Sequence, residues 1–180
     1  GGDFLRYRSD NNDNPSMRAS EELYNFIAFD TLDKRKDNWF RVIDKAGIVT
    51  YAVKKFDRSF MWIPIRHLTE MKLTRAEALA ALGTDVSTAL NDLNEIRHRA
   101  GLDSLSGISG VDLVNAIRDE RRKEMCFEGD RTMQIKRKGV LGYDSQSRGA
   151  IWNCPGMVLQ FPGAENSVIG FQLNPTGGCE

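Results

Sequence analysis

Glu124 and Glu128 stand four residues apart in the stretch ERRKEMCFEGDRTMQIKRKG, Glu120 to Gly139. Two carboxylates on one helix face are what general acid and base chemistry would use. That chemistry also needs a nucleophile, a metal-ligand pair or a glycine-rich phosphate loop close by, and the motifs supply none. The alternative is structural. Leu113, Val114, Ile117, Arg121, Met125 and Glu128 follow one another at steps of three or four, so they line one side of a helix whose apolar stripe turns ionic halfway along. Carboxylates carried along a buried side must meet cations. Arg118, Arg121, Arg122 and Arg131 are the cations at hand, and the spacing predicts an ion-pair cluster of these with Glu124 and Glu128 where helices cross. His67 and His98 are isolated and read as core-edge or surface residues rather than general bases. No CxxC or HxxxH spacing exists, so no metal site is expected. Cys126 reads as a half-buried thiol, while pairing of Cys154 with Cys179 stays open.

The elements that would position these residues are mainly helical. From Ile65 to Leu82, Leu68, Met71, Leu79 and Leu82 form one stripe and Leu73, Ala76 and Ala80 a second beside it, which predicts burial on a broad front up to a cap at Gly83. Thr84 or Asp85 caps the next helix, in which Val86, Ala89, Leu90, Leu93, Ile96 and Ala100 keep the helical rhythm as far as Gly101. The two must pack antiparallel, and the small residues of RAEALAALG allow the close approach seen in tetratricopeptide-type hairpins. A second hairpin is expected from Val111 to Phe127 and from about Asp130 to Lys138, hinged at Gly129. Before them, Gly1 to Ser16 reads as an irregular loop and Ser20 as the cap of a short helix presenting Leu23, Phe26 and Ile27. Phe40 and Val42, then Ile48, Val49, Tyr51 and Val53, predict a short β-hairpin turning at Asp44 to Gly47. After Gly139, frequent glycine with Pro155, Pro162 and Pro175 predicts a long loop-rich C-terminal wrap. The expected fold is thus mainly α, of the α-solenoid type, in a single domain over 1–180 with its helical core at about 63–139.

Composition excludes several classes. Lysine plus arginine equals aspartate plus glutamate at 25 each, so no net field holds a polyanion and nucleic-acid binding is not expected. With 41% hydrophobic and 28% charged residues in 180, the chain is an ordinary globular mixture without an apolar run of the roughly 20 residues a spanning helix needs. Gly1 is not followed by a charged and then an apolar region, so a signal peptide is expected outside these residues or not at all.

IPIRHLTEMKLTRAEALAALG, then LNEIRHRAGL from Leu93 to Leu102, then AIRDERRKEMCFEGDRTMQIKRKG occur in this order, and together they resemble the C-terminal portion of SusD/RagB-family proteins. Asp33 and Arg35 with YAVKKF at Tyr51 to Phe56 resemble the family's approach to its third helical hairpin, and FPGAEN at Phe161 with NP at Asn174 its C-terminal end. Members are outer-membrane nutrient-binding lipoproteins. The resemblance implies tetratricopeptide-like hairpins, glycan capture at the cell surface, no catalysis, no cofactor, and a TonB-dependent (SusC-like) outer-membrane transporter as partner. Against the family's pattern, the first helical hairpins and the lipid-anchor cysteine are missing, and FPGAEN stands where an FPIP-type run is usual. The resemblance transfers no binding residue. Residue chemistry suggests two candidates, because a pyranose wants an aromatic face beside planar polar groups: Asn38, Trp39 and Arg41, and Trp152 with Asn153. The helices alone are equally compatible with a helical-repeat scaffold that binds protein and no sugar.

Overall fold

The computed structural model describes residues 15–57, 67–143, 146–147 and 150–179. The expected N-terminal loop up to Asn14, and Ile63 to Arg66 at the head of the expected helical core, lie outside them. The chain divides into two compact units, Gly1–Glu124 and Met125–Glu180.

In the first unit β1 (Arg18–Ala19) precedes α1 (Glu21–Ala28) and the short α2 (Arg35–Trp39), then β2 (Phe40–Lys45) and β3 (Ile48–Val53). Ser20 caps α1 by accepting from the Leu23 N–H at 3.3 Å. The predicted hairpin is present, with Phe40 opposite Val53 and Lys45 opposite Ile48. Two residues, Ala46 and Gly47, make its turn, both at positive φ (52° and 83°), which is the primed geometry that matches strand twist. β1 adds a third, antiparallel strand on β3 that alternation over two residues could not reveal.

α3 (Leu68–Leu82), α4 (Val86–Ala100) and α5 (Gly110–Glu124) build the main core. Leu73, Ala76 and Ala80 of α3 meet Ala89, Leu93 and Ile96 of α4 and Leu113, Val114 and Ile117 of α5. Alanines at the crossing let the backbones approach, and Arg75 clamps Asp92 across α3 and α4 with contacts of 2.8 and 2.7 Å. Gly83 and Gly101 end α3 and α4 in the left-handed region, and Asp85, not Thr84, caps α4 through the Thr88 N–H. One expectation for α3 fails. Only the Leu73, Ala76 and Ala80 stripe is buried, joined by Thr69 and Glu77, whereas Leu68, Met71 and Leu82 are exposed and Leu79 is half-buried. The reason is that α4 and α5 both lie on the small-residue side.

The second unit opens with a turn over 125–129, in which Phe127 takes a positive φ of 66°, and continues into α6 (Asp130–Val140). β4 (Gln146–Ser147) pairs antiparallel with β5 (Ala150–Ile151), and the rest runs through two 3₁₀ turns with little regular structure. Cys154 is bonded to Cys179, and Cys126 is buried outside that bond.

Candidate functional site

The ionic cluster centres on a residue from before the hairpins. Arg35 of α2 is buried, and its guanidinium reaches both oxygens of Asp33 at 2.8 and 2.7 Å, Glu120 at 2.6 Å and Glu124 at 3.1 Å. Arg99 also donates to Glu124, and the more distant Arg97 and Lys123 stand 3.8 Å from Glu120 and Asp33 respectively. Lys55 adds a hydrogen bond of 2.6 Å to the Glu124 carbonyl. Burial by itself would lower the Arg35 pKa, but its hydrogen bond to Asp33 and the charge and hydrogen bond of Glu120 outweigh it, so the guanidinium is held protonated above its ordinary range.

Three of the cations expected around Glu124 reach other elements. Arg118 pairs with Glu77 at 2.7 Å, and Arg121 with Thr74 at 2.9 Å and Glu70 at 3.8 Å, so both tie α5 to α3. Arg122 pairs with Glu22 at 2.5 Å and lies 4.7 Å from the Phe26 ring, which fastens α1 instead. Glu128 does not continue the stripe, because α5 stops at Glu124 and the chain turns; Glu128 and Arg131 belong to the second unit. Asp33 is held by Arg35 of its own segment, and Glu120 and Glu124 by Arg35 and by Arg97 and Arg99, an arrangement that holds α2 against α5. His67 sits at the N-terminal boundary of α3, and His98 is exposed, its Nε2 2.6 Å from the Ser104 hydroxyl.

The two sugar-contact candidates fall in separate units. In the first, Asn38 is exposed and Trp39 and Arg41 are half-buried. The Lys55 ammonium lies 4.3 Å from the Trp39 ring centroid, so a cation occupies the ring's face. In the second, Asn153 is exposed and Trp152 is seated on α6: a Cβ at Gly139 would stand 2.0 Å from Cγ of the Trp152 ring.

The SusD family model matches residues 4–169. The chain belongs to the SusD family. Solved structures with the SusD fold superpose on it. A SusD homologue from Bacteroides thetaiotaomicron is 27% identical with a TM-score of 0.58, over 77% of this chain and 34% of that one. A SusD superfamily protein from Bacteroides vulgatus is 23% identical with a TM-score of 0.68, over 87% and 38%. Surface glycan-binding protein A from Bacteroides uniformis is 22% identical with a TM-score of 0.65, over 86% and 40%. The chain therefore spans less than half the length of these SusD structures. No curated protein matches the sequence. Helices of the described residues are nowhere long and apolar enough to cross a membrane.

Sequence reasoning missed the roles of Asp33, Arg35, Glu120 and Arg99 in the ionic cluster. In the sequence, Asp33 and Arg35 stand out only through the family likeness. Arg35 lies 85 and 89 residues from Glu120 and Glu124, and no local spacing encodes such a contact.

Proposed function

We propose that this chain is the glycan-binding, non-catalytic component of an outer-membrane nutrient uptake system, displayed as a cell-surface lipoprotein and working with a TonB-dependent, SusC-like transporter. The observation that carries the reading is the family match over 4–169, and the fold shared with a surface glycan-binding protein supports it. The saccharide contacts proposed in the first instance are Asn38, Trp39 and Arg41, with Trp152 and Asn153 in the second unit. The test is a glycan array with the purified chain, followed by Trp39→Ala and Trp152→Ala. Saturable saccharide binding supports the reading; weaker binding with an unchanged melting point would make either tryptophan a contact. Loss of binding only through unfolding would make them packing residues.

A second reading, a helical-repeat scaffold that binds protein without sugar, is favoured by the exposure of Leu68, Met71 and Leu82 on α3. Tight protein capture with no saccharide response would decide for it.

A further inference from the structure

Side chains directly opposite in a sheet share a face, and those two apart on a strand share it too. Tyr51 in the central strand faces Val42 on one side and Ala19 on the other, so its face carries Phe40, Val42, Asp44, Val49, Val53 and Ala19. Phe40 and Val53 are buried at one end, where Tyr24 of α1 meets Phe40 edge-on at 5.6 Å. At the other end Val42, Val49 and Asp44 are exposed. Tyr24 stacks on Tyr51 at the junction, with ring centroids 4.3 Å apart and planes at 19°, and both remain half-exposed. Neither phenol hydroxyl takes part in a hydrogen bond among the described residues. Burial and the nearby Glu21 carboxylate, with Tyr24, raise the Tyr51 phenol pKa, which keeps it a donor at neutral pH. Asp44 accepts the Gly47 N–H with one oxygen at 3.0 Å and is exposed, leaving further acceptor positions.

We infer that this end of the sheet, Tyr24 and Tyr51 with Val42, Val49 and Asp44, is a contact surface for uncharged saccharide. The aliphatic and aromatic groups suit the C–H face of a pyranose. The two phenols donate to its ring and hydroxyl oxygens, and the Asp44 and Glu21 carboxylates accept from its hydroxyls. Charge sets the class. Among the described residues this face carries no lysine or arginine, Arg122 beside α1 is taken up by Glu22, and the Asp44 and Glu21 carboxylates are left to disfavour uronic or sulfated glycans. The inference rests on the glycan-binding reading and assigns it a place and a preference.

The experiment uses the full chain and a panel of immobilised oligosaccharides, neutral (gluco-, manno- and xylo-oligosaccharides) and acidic (oligogalacturonides, chondroitin sulfate). Neutral members are expected to bind and acidic ones not. The Tyr24→Phe, Tyr51→Phe double variant keeps the stack and removes both donors, so affinity should fall by about fivefold or more. Val49→Lys, at an exposed position, should abolish binding. Ring resonances of labelled Tyr24 and Tyr51 should shift when the bound oligosaccharide is added to the unaltered chain, a readout independent of how any variant folds. Saccharide binding with no tyrosine shift and unaffected variants overturns this surface and leaves the glycan reading standing. Preference for the acidic members overturns the inference as well. Binding to no member of the panel overturns both.

Discussion

Arg35 faces three carboxylates, and at residue scale that decides what each is worth. Its charge is the common partner of Asp33, Glu120 and Glu124, all buried. Removing one partner of such a group strands the others in a poorly solvated place, at a cost of about 3–5 kcal/mol. Glu95, by contrast, is largely exposed and pairs with Lys72, and a surface pair is worth about 1 kcal/mol or less. Glu124→Ala should therefore lower the urea midpoint far more than Glu95→Ala, and equal midpoints would remove the cluster from the account of stability. A group with a raised folded pKa contributes stability that is present below its unfolded pKa and lost only as pH rises through the folded value. For Arg35 that loss lies beyond the alkaline range in which proteins are studied, so its contribution is constant at neutral pH. The sequence showed that Glu124 needed a cation, because a carboxylate sat where an apolar stripe led. It did not show which one, since nearby arginines on the same helix point to α3 and α1 and are sterically committed there.

Elements were legible where local chemistry determines them. The hairpin, the caps at Ser20, Gly83 and Gly101 and the course of α4 all follow from residues within a turn of each other, whereas the face that α3 buries depends on where α4 and α5 approach it. The hairpin turn holds an exploitable mismatch. Ala46 occupies a left-handed position that costs an L-residue with a Cβ about 1–2 kcal/mol, and asparagine visits it more readily. Ala46→Asn should raise stability by up to about 1 kcal/mol in a urea titration, and a destabilised variant would contradict the turn assignment. In α4 the Asp85 carboxylate is held below its ordinary range, first by the Thr88 side chain and then by the Thr88 N–H. A depressed folded pKa means stability that is present above the unfolded pKa and lost as pH falls through the folded one. Asp85→Ala should lower the melting temperature at neutral pH, and its deficit should shrink on acidification through the carboxylate range; a deficit independent of pH would deny the cap its charge. In α6 the indole of Trp152 fills the space over Gly139, so Gly139→Ala must displace it. Overpacking of this kind costs about 1–3 kcal/mol, and a red-shifted tryptophan emission would follow a ring displaced toward water, whereas unchanged stability and emission would contradict the seat.

At the scale of the molecule, the two compact units are held together internally by different means. The first has helices crossing on alanines around a continuous apolar core, with charged clamps at the rim. That organisation was readable from periodicity, because a packed helix repeats its burial every turn. Among its described residues the second has one α-helix and a tail whose larger apolar residues, Leu159, Val168 and Ile169 among them, are exposed, so periodicity had nothing to report there. Side-chain amides brace the tail, Gln160 donating to the Pro175 carbonyl and Asn174 to the Leu159 carbonyl, and Phe161 meets Phe171 edge-on at 4.9 Å. The covalent tie from Cys154 to Cys179, 25 residues apart, closes this segment. Closing a loop of that length removes unfolded-state entropy worth about 3.5 kcal/mol. With so little buried surface to replace it, the disulfide is the main restraint on residues 154–179. Reduction, or a Cys154→Ser, Cys179→Ser double variant, should therefore open the tail to chymotrypsin after Phe171, Phe161 being protected by Pro162, within minutes under conditions that leave the oxidised chain intact. Equal cleavage rates in the two forms would show that the amide braces and the aromatic pair hold the segment without the sulfur bridge.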